Sequence, residues 1–102
     1  MQLDRVRVRV KEPDFRDYVR ELFQGKRLDG DAVLGIAIKI VASSVESLSL
    51  EQFEIFMRHG LYPSNYVEKC ERCAEDIPWC EMYSALEDPY CSYCRHVIEK
   101  DN

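Results

Sequence analysis

Four of the chain's five cysteines fall into two pairs, Cys70-Glu-Arg-Cys73 and Cys91-Ser-Tyr-Cys94, and seventeen residues separate the pairs. No other feature of the 102-residue sequence restricts its fold as sharply. Two cysteines with two residues between them turn both sulfurs toward one centre. Two such turns supply the four ligands of a tetrahedral metal with metal–sulfur bonds of ~2.3 Å. The spacing C-x2-C-x17-C-x2-C falls among those of structural zinc sites, and an odd number of cysteines fits a disulfide framework poorly. The expectation is one structural Zn²⁺ held by Cys70, Cys73, Cys91 and Cys94. Four thiolates leave no position for water, so the site is expected to stabilise rather than to catalyse. The fifth cysteine, Cys80, reads as a small buried hydrophobe. His96 is redundant as a ligand once four sulfurs are in place, and His59, just before Gly60, suits a helix C-terminus.

A chain of this length builds one domain with a modest core, which a metal would help to hold. It has no apolar run of ~18 residues, so no membrane span is expected. The opening MQLDRVRVRV lacks the apolar block of a signal peptide, and a cytoplasmic location is expected. Charge is unevenly distributed. Residues 1–27 carry eight Lys/Arg and five Asp/Glu, whereas residues 61–102 carry four and nine. With a net charge of −5, the chain is a poor candidate for coating DNA, because non-specific duplex affinity comes from neutralising phosphates.

The expected fold class is α+β, mainly α. From Leu3 to Val10 valines alternate with arginines, the period of a half-buried strand. Pro13 then opens a helix to about Gln24, with Phe15, Tyr18, Val19, Leu22 and Phe23 at the spacing of a core face and Gly25 as its end. The run 32–42 reads as a strand or a helix. The helix is favoured because it continues past Ser44 without a turn signal and sets Gly35, Lys39, Ser43 and Glu46 on one polar stripe. Asp29 or Asp31 is its expected N-cap. Ser49 and Gln52 predict a capping box for a third helix, which Gly60 is expected to end. These elements divide the chain into a strand plus three-helix bundle, 1–66, and a zinc module with a terminal helix, 67–102, packed together. The two helices meeting near Ser47–Ser49 read as core structure rather than a DNA-reading motif, since the second begins with Glu51 and Glu54.

The zinc segment reads Cys70-Glu71-Arg72-Cys73, then Ile77-Pro78, and ends in Cys91-Ser92-Tyr93-Cys94 before a helix-compatible tail. Over residues 70–100 it resembles the C4 zinc finger of the DksA/TraR family. That resemblance implies Cys70, Cys73, Cys91 and Cys94 as zinc ligands, and RNA polymerase as a partner, since regulators of this family insert an acid-tipped helical element into its secondary channel. Asp29-Gly30-Asp31 does not reproduce that acidic tip, and the preceding helices read as a packed bundle. The remainder of the chain resembles small uncharacterised bacterial or phage proteins.

The spacer between the cysteine pairs is dense in aromatic residues. Trp79, Met82, Tyr83 and Tyr90 form either a small core around the metal or the anchors of a protein contact. Two functions follow. The first is a zinc-stabilised regulator or adaptor that binds a protein, in the transcription machinery if the resemblance extends to function. The second is a nucleic-acid-binding protein that uses Arg5, Arg7, Arg9 and Lys11 against phosphate. No nucleophile–base arrangement or phosphate-cradling loop stands out, so no enzymatic activity is expected.

Overall fold

The computed structural model describes residues 3–100, and every regular element among them is helical. The α-helices are α1 (Leu3–Arg9), α2 (Pro13–Gln24), α3 (Asp31–Ala42), α4 (Leu50–Ile55), α5 (Trp79–Ala85) and α6 (Ser92–Lys100). A 3-10 turn covers Val45–Ser47 and a π-helical turn covers Phe56–Leu61. The expected α+β class is therefore corrected to all-α. Among the described residues the β pairing is an isolated bridge between Lys69 and Asp76.

The strand expected from Leu3 to Val10 is α1. Val6 and Val10 stand one helical turn apart and are buried, whereas Val8 is 71% exposed. A strand would have turned all three to one face. The helix prevails because a lone strand leaves its backbone groups unpaired, and no other described segment supplies an edge. The helix pairs those groups internally, with the Val10 N–H donating to the Val6 carbonyl at 2.9 Å. Arginine, which fills alternate positions here, is itself a good helix former.

Helix α2 spans the expected residues and buries Phe15, Tyr18, Val19 and Leu22, but Phe23 lies at the edge of that face and stays 41% exposed. The Gly25 N–H closes the helix on the Glu21 carbonyl at 2.9 Å. The Tyr83 hydroxyl occupies the place a side chain at Gly25 would need. The run 32–42 is helical, with Val33, Ile36, Ala37 and Ile40 buried and Gly35 and Lys39 facing out. Gly30, not Asp29 or Asp31, occupies its N-cap, at a φ of 95°. Ser49 and Gln52 form the expected capping box, each backbone N–H donating to the other's side chain at 3.0–3.1 Å. Gly60 does not end this segment. The chain passes through it in the π-helical turn, where the Tyr62 N–H donates to the Met57 carbonyl at 2.9 Å. Gly60 is placed there by packing, because a Cβ would stand 3.0 Å from the Val33 side chain.

Helix α2 packs on α3 and on α5, so the segments 1–66 and 67–102 share one core. Trp79, at the start of α5, lies at its centre. Its ring meets Phe15 edge-on at 4.7 Å, stacks on Tyr18 at 5.5 Å and tilts against Tyr66 at 5.6 Å. The Arg9 guanidinium lies 4.8 Å from the same ring, and the indole N–H donates to the Arg9 carbonyl at 2.8 Å. Arg9 is 7% exposed and also donates to the Ile77 carbonyl and to the Tyr66 hydroxyl. A second buried polar group, Asn65, ties the π-helical turn to the α2–α3 loop. Its amide nitrogen donates to the carbonyls of Gly60 at 2.7 Å and Arg27 at 3.0 Å, and its carbonyl side-chain oxygen accepts from Arg27 Nε.

Candidate metal centre

The first cysteine pair sits in a tight turn. The Cys70 N–H donates to the Glu75 carbonyl, and the Ala74 N–H donates to the Cys70 carbonyl, both at 2.9 Å. To close it, Ala74 takes a φ of 62°, the left-handed region that favours glycine. The second pair opens α6, where the Arg95 N–H donates to the Cys91 carbonyl at 2.9 Å. Glu81 of α5 accepts the Ser92 N–H at 2.5 Å, placing a carboxylate at the α6 N-terminus. The Glu71 N–H, donating to the Pro89 carbonyl at 2.9 Å, joins the two turns.

These turns bring together the four cysteines expected as ligands. Their Sγ atoms all lie within 4.8 Å of one another, and Cys73 Sγ stands 3.8 Å from Cys91 Sγ. A tetrahedron with metal–sulfur bonds of ~2.3 Å has an edge of ~3.8 Å, so the sulfur set fits one thiolate-bound metal ion. Cys70 and Cys94 are buried, Cys91 is half-buried and Cys73 faces solvent. The Arg72 N–H points at Cys70 Sγ at 3.4 Å, and its guanidinium lies 3.5 Å from Cys94 Sγ.

The thiols are electrostatically distinct. Burial pushes Cys70 up, but the backbone amides of Cys73, Cys91 and Arg72 outweigh it and hold the thiol at about 6. At Cys73 the Glu75 amide pulls downward, while burial and the neighbouring thiols of Cys70 and Cys94 raise it to about 12. The Cys91 thiol is raised as well, because burial and hydrogen bonds from Cys94 and Cys70 oppose the lowering by the Cys94 amide. Of these three, Cys70 therefore gives up its proton most readily. A bound dication displaces the thiol protons.

Cys80 and His96 stand outside the sulfur set, and both are exposed. The exposure of Cys80 corrects the expectation of a buried thiol. Helix α5 turns Trp79, Met82 and Ala85 inward, and the next position after Trp79 points away from that stripe.

The residues considered as partner anchors separate by depth. Trp79 and Met82 are buried, and Tyr83 and Tyr90 are half-buried. Tyr93, inside the second CxxC turn, is 73% exposed. Its position between two ligands was the signal that could have singled it out, since a ligand turn points its sulfurs inward and its intervening side chains outward.

The candidate phosphate contacts separate as well. Arg5 pairs with Asp76 and lies 3.8 Å from Glu68, and Arg9 is buried against Trp79. Arg7 lies over the Phe53 ring at 5.6 Å, while Lys11 is exposed. Among the described residues, no helix is long and apolar enough to cross a membrane. Comparison with models of known families, with curated proteins and with solved structures finds no match for this chain.

Proposed function

We propose that the chain is a small regulatory or adaptor protein, stabilised by one structural zinc ion, that works in the cytoplasm by binding another protein rather than by catalysis. The observation that carries this reading is the closed set of four sulfurs within 4.8 Å. Such a set satisfies zinc completely and leaves no vacancy at which substrate or water could be activated. What remains for the module to offer is its surface. Residues 61–102 carry nine carboxylates, and four thiolates on one Zn²⁺ add two further negative charges. Tyr93, beside Cys94, presents a large amphipathic ring in that acidic setting, with Tyr90 half-buried nearby in sequence. A basic protein surface is the complementary partner. In its narrower form the reading places that partner in the transcription machinery, on the likeness of residues 70–100 to the DksA/TraR finger.

The reading is tested in two steps. Elemental analysis of the purified chain should return close to one zinc per chain, and an iron chromophore would contradict it. Purified RNA polymerase and a cell lysate are then each passed over the zinc-loaded chain. Retention of a defined protein, weakened about tenfold or more by Tyr93→Ala, is the expected result. Tight binding of duplex or single-stranded nucleic acid at ~150 mM salt, lost on Arg5/Arg7/Lys11→Ala, would replace it with the nucleic-acid reading.

A further inference from the structure

Helix α1 sends its cations to two sides of the molecule. Arg5 and Arg9, one turn apart, face the zinc module and are engaged by Asp76, Glu68 and the Ile77 carbonyl. Arg7 and Lys11, also one turn apart, border a groove of about 300 Å³ between the end of α1 and the start of α4. Its walls are apolar, formed by Val10, Leu48, Leu50 and Phe53, and Glu46 is the one carboxylate among its lining residues. Leu50 is 60% exposed there, although it is the first residue of a capped helix and could have been polar without loss to the fold. The Arg7 guanidinium lies over Phe53, and its Nε is buried with no hydrogen-bond partner.

We infer that this groove docks a short acidic–apolar peptide segment of another protein. A carboxylate of the segment sits between Arg7 and Lys11. An aliphatic side chain one helical turn away fills the space between Leu48, Leu50 and Phe53. Charge selects this occupant, because two cations and one carboxylate line a largely apolar groove. Size agrees, since the groove holds one or two side chains rather than a whole helix face. Nucleic acid is the poorer fit, because the floor is largely aliphatic and its one aromatic ring is already covered by Arg7. The inference rests on the reading that the chain binds protein. It adds a second contact, opposite in charge to the zinc module.

The test is a display selection of short random peptides on the zinc-loaded full-length chain. The recovered sequences are then measured by fluorescence anisotropy at ~150 mM salt. The expected peptides carry Asp or Glu within one helical turn of Leu, Ile or Phe. Their affinity should fall about tenfold or more with Lys11→Glu and with Leu50→Asp, the loss of one charge-assisted contact or one apolar anchor. Both side chains are exposed, so these variants should keep their zinc and their helix content. Recovery of no binder, of peptides without acidic residues, or of peptides indifferent to Lys11→Glu and Leu50→Asp would overturn the inference. So would displacement of the peptide by single-stranded DNA, or a dimer broken by Leu50→Asp, which would assign the groove to phosphate or to a second copy. Binding lost with Tyr93→Ala alone would remove this groove and leave the proposed function standing.

Discussion

Arg9 shows how one side chain can join segments far apart in sequence. Its guanidinium is buried on the Trp79 ring and donates to the Ile77 carbonyl, while its own carbonyl accepts from the Trp79 indole. A buried cation is tolerated when its donors are used and an aromatic face lies against it. Arg9→Met keeps the apolar stem but leaves the Ile77 carbonyl without this donor. Chemical denaturation should show a loss of about 2–3 kcal/mol. Arg9→Lys should not restore it, because a point charge cannot both stack and fork. Ala74 gives the opposite case. Its φ of 62° is strained for any residue with a Cβ. Ala74→Gly relieves that strain and should raise stability by about 0.5–1 kcal/mol after the added freedom of the unfolded chain is counted. A rise in the thermal midpoint with unchanged zinc content is the expected readout.

The elements differ in how far their sequence pattern determines them. For α1 a direct test separates helix from strand. Val6 is 1% exposed and Val8 71% exposed, so Val6→Glu should destabilise the chain by about 3 kcal/mol or more and Val8→Glu by less than about 0.5 kcal/mol. A strand would have made the two substitutions equally harmful. The misreading has a physical origin. Val6 and Val10 are two strand periods apart and also one helical turn apart, so only Val8 distinguishes the periods, and an exposed valine leaves no mark in a sequence. The elements that were legible each carried two agreeing signals. Helix α2 combined Pro13, a 3.6-residue stripe and Gly25. Helix α4 combined Ser49 and Gln52, and the metal site combined two identical cysteine spacings. What could not be read, such as the buried Asn65 and the π-helical turn, depends on contacts between residues remote in the chain. Asn65 bonds to Arg27, 38 positions away, and nothing near it in sequence shows that dependence.

The segment that carries the cysteine pairs also supplies Trp79, the ring at the centre of the helical core. Structural zinc contributes folding free energy on the order of 10 kcal/mol, as much as the entire stability of a small domain. Removing the metal with a chelator should therefore unfold α1 and α2 along with the cysteine turns. Trp79 is the single tryptophan, so its emission should shift to the red on chelation and return when zinc is added back. A shift without loss of helical circular dichroism would show that the bundle survives alone. Alkaline pH probes the same core. The phenols of Tyr18, Tyr62 and Tyr66 are all raised above their ordinary value, in each case chiefly by burial. A raised folded-state pKa means that stability is complete below the unfolded value of ~10 and is lost as pH climbs toward the folded one. Denaturation midpoints should hold steady to about pH 9.5 and then fall, with Tyr18 alone contributing a slope of up to about 1.4 kcal/mol per pH unit.

The indole that completes the core is made late. Trp79 follows Arg9, the residue that embraces it, by 70 positions. During synthesis, α1, α2 and α3 leave the ribosome with their inner faces prepared around a ring that has not yet been translated. They must wait, with apolar surface open to water, until α5 and then the second pair of cysteines emerge. Closing so distant a contact is slow compared with helix formation. Until that ring is in place, the inner faces of α1 and α2 stay open to chaperones and proteases.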